Sequence, residues 1–134
     1  MKTYPVKLLH FDSDTEFSAV ICADEAETSD IIRLKITIQA QKFTSENQQY
    51  LDAYQQLRDK LSEAGYGLKC NGSLINANQS AMMAYVPKIY LIQMGQQARL
   101  KDIVSLWDYC ETDTFPTTEE QKAFTAAWQD SLKK

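Results

Sequence analysis

Histidine, cysteine and glycine are scarce in this chain, which has one histidine, three cysteines and four glycines among 134 residues. Cys22, Cys70 and Cys110 are an odd number and include no CxxC pair, which argues against both a disulfide framework and a zinc site. We expect each of them to be a small buried hydrophobe. His10 has no recognisable partner for base or ligand chemistry, so we expect it to be structural, with no metal and no cofactor in the protein.

Long apolar runs are also missing from the sequence. No stretch approaches the ~18 apolar residues of a membrane span, and residues 1–5 lack the apolar core and cleavage site of a signal peptide. The hydrophobic share of 44% and the charged share of 24% are ordinary for a globular chain of this length. We therefore expect one domain over residues 1–134, located in the cytoplasm, with no membrane partner.

The excess negative charge is concentrated near the N-terminus. Residues 1–30 hold two lysines against seven acids, a balance of −5, whereas residues 31–134 hold twelve basic and eleven acidic residues, a balance of +1. Phosphate binding needs a basic footprint, so this distribution disfavours nucleic acid as a direct partner. It suits a basic protein partner, and solvated acidic turns are the alternative. The candidate partner-binding residues are Asp12, Asp14, Glu16, Asp24, Glu25, Glu27 and Asp30, joined by Asp108, Glu111 and Asp113 if the fold brings them close.

Alternating patterns predict the strands. The even-numbered residues from Ile32 to Ile38 are apolar and the odd-numbered ones polar, which predicts a strand over 32–39 with one buried and one exposed face. Residues 17–23 are apolar on both faces and predict a more central strand, paired antiparallel with 32–39 through a connection at 24–30. Further strands are predicted over residues 7–11, 66–70, 88–94 and 103–107.

Two helices are predicted. Ser45 can cap the first, whose apolar stripe runs from Tyr50 to Leu61, and Gly65 is placed to end it in the left-handed conformation. Thr117 and Glu120 match a capping box at the start of the second. The fold class is therefore α+β, with five or six strands in a mostly antiparallel sheet and two packed helices. The solvated face of the first helix is expected to carry Gln48, Asp52, Gln55, Asp59 and Glu63.

No residue pattern indicates catalysis. Ser73 and Ser80 lack the Gly-x-Ser-x-Gly elbow of a nucleophile, and a pairing of Ser80 with His10 would join residues 70 positions apart. The acidic residues have no histidine nearby that would favour a metal, and the glycines follow neither a Walker nor a dinucleotide pattern. Met82 and Met83 are interpreted as core residues that fill gaps, and contact with a promiscuous apolar partner is the alternative. We expect no enzymatic activity.

The segment from Gly65 to Trp107 contains a recognisable set of features. A glycine-aromatic-x-leucine strand leads to Cys-Asn-Gly, in which Asn-Gly is a strong turn signal that predicts a positive φ or a tight turn. A Ser-x-Met, an aromatic strand, a Gly-x-Gln-Ala turn and a Val-x-x-aromatic-Asp strand follow. The residues are Gly65-Tyr66, Leu68, Cys70-Asn71-Gly72-Ser73, Ser80-Ala81-Met82, Tyr90, Gly95-Gln96-Gln97-Ala98 and Val104-Ser105-Leu106-Trp107-Asp108.

This set resembles small bacterial proteins that act as immunity partners in polymorphic or contact-dependent toxin systems. It departs from their pattern at 79–82, where Pro-Ser-Gly-Met would be expected, and at 84–87, where a glycine-rich turn would be expected. The resemblance implies a non-catalytic cytoplasmic protein that binds and neutralises one cognate toxin domain, and it assigns neither catalytic residues nor an oligomeric state. A small-molecule-binding or enzymatic domain that uses the 71–87 loop, and a structural adaptor subunit, are the alternatives.

Overall fold

The computed structural model describes residues 1–25 and 30–133. Its elements are β1 (Lys2–His10), β2 (Thr15–Glu25), β3 (Ile32–Ile38), β4 (Gln41–Asn47), α1 (Tyr50–Glu63), β5 (Tyr66–Leu68), β6 (Ala77–Asn78), β7 (Lys88–Leu91), β8 (Ile103–Ser105) and α2 (Thr118–Ser131). Five antiparallel strands form the larger sheet, in the spatial order β4-β3-β2-β1-β5, and helix α1 packs on its inner face. Three short strands form a second antiparallel sheet in the order β6-β7-β8, and helix α2 closes the chain. The predicted α+β class is confirmed, but the later strands do not join a single sheet as expected.

Strand β3 shows the predicted alternation. Its even-numbered residues from Ile32 to Ile38 are buried, while Arg33 and Thr37 are exposed and Lys35 is half-buried. β2 lies at the centre of the sheet and pairs antiparallel with β3, as predicted. Its outer face is not covered, however, because Val20 is 50% exposed.

Strand β4 replaces the predicted start of the first helix. Ser45 lies inside this strand, so it is not a helix cap, and its hydroxyl donates a 2.6 Å hydrogen bond to the carbonyl oxygen of Ala53 in α1. Gln39 and Ala40 connect β3 to β4 with φ of 49° and 69°. Two consecutive left-handed residues match the twist of a two-residue hairpin, a turn that glycine and asparagine usually supply.

Helix α1 has the predicted apolar stripe and C-terminal signal. Its stripe from Tyr50 to Leu61 is buried, and Gly65 follows the helix with φ of 97°. The predicted solvated face is wrong at Gln55, which is buried, and Arg58 is completely buried although its type favours solvent. The predicted capping box of α2 is confirmed, because Thr117 and Glu120 exchange side-chain and backbone hydrogen bonds.

The cysteines and the histidine follow the expectation in part. Cys70 is buried, and burial raises the pKa of its thiol to about 11. Cys22 and Cys110 are only half-buried, so the expectation of burial is wrong for these two; all three cysteines are free thiols. His10 bonds to Ser13 at 3.0 Å and stacks on Tyr66, with 5.2 Å between the ring centroids.

The Asn71-Gly72 segment forms a tight 3₁₀ turn over Asn71–Ser73. Gly72 is not among the residues with positive φ. A Cβ atom at this position would lie 2.9 Å from both Leu106 Cγ and Tyr54 Cε2. The glycine is therefore required by the close packing of its neighbours and not by a left-handed backbone.

We expect Gly72→Ala to lower the free energy of unfolding by about 1–3 kcal/mol, because the added methyl group overpacks a closed contact. Chemical denaturation measures this cost. In a Leu106→Ala background, which makes room for the methyl group, the same substitution should cost less. An equal cost in both backgrounds would contradict the steric explanation.

Candidate protein-binding surface

The acidic residues from the N-terminal region lie at both ends of the larger sheet. Asp12 and Asp14 occupy the turn between β1 and β2, while Asp24 and Asp30 lie at the far end of β2. The eleven residues of β2 separate the two groups by about 30 Å at ~3.3 Å per residue. These acids therefore do not form one continuous patch. Glu27 lies outside the described residues.

Glu25 is an internal hydrogen-bond acceptor. Its Oε2 atom accepts hydrogen bonds of 2.6 Å from both Tyr4 and Tyr50, and Lys2 approaches its Oε1 atom to 3.5 Å. Trp107 in turn donates to the Tyr50 hydroxyl at 3.0 Å. Burial raises the pKa of both tyrosines, and their bonds to Glu25 raise it further. With its side chain 8% exposed, Glu25 acts in holding β1, β2 and α1 together.

Glu16 and Glu111 converge on Lys69. The ammonium group lies 2.7 Å from a carboxylate oxygen of each, and the Tyr109 hydroxyl lies within hydrogen-bond distance of both carboxylates. The bond to Lys69 is the main cause that holds the pKa of each carboxyl below its ordinary value, and the two carboxylates raise the pKa of Lys69. The fold thus brings Glu111 close to Glu16, one of the N-terminal acids. Both carboxylates, however, are paired with the ammonium group of Lys69.

The remaining acids differ in whether they are paired. Asp24 lies 3.6 Å from Arg33, which also bonds to Glu46. Asp108 and Asp113 are exposed, as are Asp12, Asp14 and Asp30. Within residues 1–25 and 30–133, none of these five exposed aspartates belongs to an ion pair.

An exposed apolar loop lies between β6 and β7. Met82 is 96% exposed, Tyr85 57% and Val86 43%. The interpretation of Met82 as a core residue is therefore wrong, while Met83 is half-buried. Three large apolar side chains within five residues are unusual on a free surface, and methionine and tyrosine are suited to contact another protein. We call Met82, Tyr85 and Val86 the apolar loop.

Hydrogen bonds fix the apolar loop to the start of α1. Tyr50 N donates to the carbonyl oxygen of Ala84 at 2.6 Å, and Ala84 itself is buried. Gln79 accepts from Leu51 N at 2.9 Å and donates to the carbonyl oxygens of Val86 and Lys88, also at 2.9 Å. The loop is therefore held in shape before any partner arrives, which lowers the entropic cost of binding.

The apolar loop lies at the same end of the molecule as Asp24 and Asp30. It is bonded to the first turn of α1, which begins three residues after β4 ends at Asn47. Asn47 pairs with Ile32, and Ile32 pairs with Glu25. These pairings place the apolar loop and the two aspartates at one end of the molecule, although the Asp24 side chain lies on the face of the sheet away from α1, beside Arg33. We take the apolar loop with Asp24 and Asp30 as the candidate protein-binding surface, whereas Asp12 and Asp14 lie at the opposite end.

Neither Ser73 nor Ser80 lies where it could act as a nucleophile with His10. Ser73 is buried and hydrogen-bonded to Tyr54. Ser80 precedes the apolar loop at the start of α1, while His10 lies beside Phe11, whose N–H donates to Gly65 after the end of that helix. The fourteen residues of α1 separate the two ends by roughly 20 Å at ~1.5 Å per residue. Ser80 and His10 are therefore not a pair.

The described part of the chain holds neither a metal-binding cluster nor a membrane-spanning helix. No group of three or more histidine, cysteine, aspartate and glutamate residues is arranged to hold a metal ion in that part of the chain. Neither α1 nor α2, the α-helices within residues 1–25 and 30–133, is long and apolar enough to cross a membrane.

No model of a protein family matches the sequence, and no curated protein is significantly similar to it.

The Lys69 cluster predicts an acid-dependent contribution to stability. The folded-state pKa values of Glu16 and Glu111 are depressed, so the stabilisation is present above the ordinary glutamate pKa of about 4.3 and is lost as pH falls through the lower folded values. We expect Lys69→Met to destabilise the protein at pH 7, and this effect should shrink progressively as the pH falls below the ordinary glutamate pKa of about 4.3. Denaturant titrations over this pH range measure the difference, and the exposed Lys101→Met is the control. A difference that does not depend on pH would contradict the pairing.

Proposed function

We propose that this chain is a cytoplasmic, non-catalytic immunity-type protein that binds and neutralises one cognate toxin domain through the candidate protein-binding surface. The observation that carries the proposal is the apolar loop, because it combines high exposure of Met82 and Tyr85 with a fixed backbone. Binding energy at interfaces is concentrated in a few such residues. The resemblance of residues 65–107 to immunity proteins supports the identity of the partner.

The charges near the apolar loop support a basic partner. Asp30 is exposed, and Asp24 is paired with a partly exposed arginine. Exposed acids at the rim of an interface act mainly on the rate of association and on its salt dependence. The apolar loop would then supply affinity, and Asp24 and Asp30 would steer a basic toxin domain toward it.

We expect the apolar loop and the two aspartates to affect different rate constants for binding to a toxin domain encoded next to this gene. We expect Tyr85→Ala and Met82→Ala each to weaken binding by about tenfold or more, mainly through faster dissociation. Met94→Ala is the matched control, because Met94 is 45% exposed but follows the far end of β7. Surface-binding kinetics on folded variants measure both rates.

Charge removal at the two ends of the sheet provides the second comparison. Asp24→Asn combined with Asp30→Asn should slow association at low salt and have little effect at high salt, because ions screen exposed charges. Asp12→Asn combined with Asp14→Asn changes the same charge at the other end and should leave association nearly unchanged. Failure of the wild-type protein to bind the toxin domain, or equal effects of Met82→Ala and Met94→Ala, would contradict the proposal.

A further inference from the structure

The two long hairpins of the larger sheet separate along part of their length. β1 and β2 pair over nine residues and β3 and β4 over seven. β2 and β3 pair only from Glu25↔Ile32 to Cys22↔Lys35. Within the described residues, no β2–β3 pair continues past this point, although β2 extends back to Thr15 and β3 onward to Ile38.

The separation leaves a strand edge without its neighbour. Along residues 15–21 of β2, every second residue directs its N–H and C=O groups away from β1 and toward β3. Seven residues span about 23 Å at ~3.3 Å each, which is enough to pair with a strand of ordinary length. Such edges readily accept another extended chain.

A cleft of about 360 Å³ occupies the gap between the hairpins. Thr15, Phe17 and Ala19 line it from β2, and Thr37 and Ile38 line it from β3. None of its nine lining residues is an aspartate, glutamate, lysine or arginine. An uncharged wall favours an uncharged occupant, because a charged side chain would lose its hydration without gaining a partner.

An aromatic floor closes the cleft toward the core. Tyr66 lines the cleft and contacts Phe17 edge to face, with 5.7 Å between the ring centroids, and the ring of His10, which also lines the cleft, stacks on Tyr66. Phe43 packs on Tyr66 from β4 at 6.3 Å. The floor is therefore fixed, and it offers apolar contact to every second side chain of an inserted strand.

We propose that this cleft is a second binding site, which accepts an extended, uncharged segment of a partner protein as an added strand on the free edge of β2. Main-chain hydrogen bonds to residues 15–21 would supply affinity, and the aromatic floor would select apolar side chains at alternate positions. The site lies at the end of the sheet opposite the apolar loop, so it does not depend on the toxin-binding proposal.

A capped heptapeptide, acetyl-Thr-Val-Gln-Val-Ser-Val-Thr-amide, is the probe for the test. In titrations followed by amide NMR shifts, we expect saturable changes confined mainly to residues 15–20 and 37–39. The same peptide with alternate N-methylated residues lacks the main-chain donors, and it should bind at least about tenfold more weakly when the methyl groups face β2.

A filled cleft provides the matched variant. Ala19→Phe places a ring in the cleft and should abolish the shifts, whereas Ala126→Phe on the exposed surface of α2 should not. Two N-methylated peptides can be made, with the methyl groups on the odd or on the even residues. The proposal would be overturned if both bound as well as the unmethylated peptide. It would also be overturned if the shifts lay elsewhere in the protein, or if millimolar peptide caused no shifts. A dimer that pairs the β2 edges of two copies, detected by light scattering, would overturn it in favour of self-association.

Discussion

A buried guanidinium group in α1 holds α2 against the rest of the molecule. Arg58 is completely buried in α1, where its N–H groups donate to Asp59 at 3.0 Å, to Gln121 at 2.8 Å and to Thr118 at 3.0 Å. Gln121 uses its amide nitrogen to bond to the carbonyl oxygens of Gly72 and Leu74. One cation and one amide thus join α1, α2 and the 71–74 turn. Since a buried charge without partners is costly, we expect this arrangement to favour the docking of α2 in which all of these bonds are made.

The packing of the 71–74 turn is coupled to that docking through Gln121. Gly72 can pack against Tyr54 and Leu106 only while the 71–74 turn stays on α1. The Tyr54 hydroxyl then reaches Cys70 at 3.2 Å, and burial raises the pKa of that phenol. The same packing fixes the segment that continues into β6 and the apolar loop. The fixed shape of the candidate surface therefore follows from polar contacts in the interior as much as from apolar burial.

The sequence predicted the elements that carry a regular apolar pattern or a local capping motif. β3 alternates, the stripe of α1 recurs at helical spacing, and Thr117 with Glu120 caps α2, so these features were correct. β4 was missed because most of its residues are polar and only Phe43 and Ser45 are buried. Its hairpin was missed too, because Gln39 and Ala40 adopt left-handed conformations without being glycine or asparagine.

The candidate surface was predictable only in part. Net charge drew attention to the acids, but it could not show that Glu25 is an internal acceptor or that Lys69 neutralises Glu16. These roles depend on contacts between residues far apart in the chain. Met82 was assigned to the core because hydrophobic residues are usually buried, a tendency that does not hold at surfaces that bind partners.

The measurement that tests this account most directly is amide hydrogen exchange in Arg58→Met, compared with the wild type and with the exposed α2 variant Lys122→Met. We expect Arg58→Met to lose several kcal/mol of stability, as is typical when one partner of a buried charged network is removed. Protection should be lost first in α2 and in residues 71–74, while the β1–β2 amides keep more of theirs. Unchanged protection of α2 would show that apolar contacts dock this helix and would contradict the central role of Arg58.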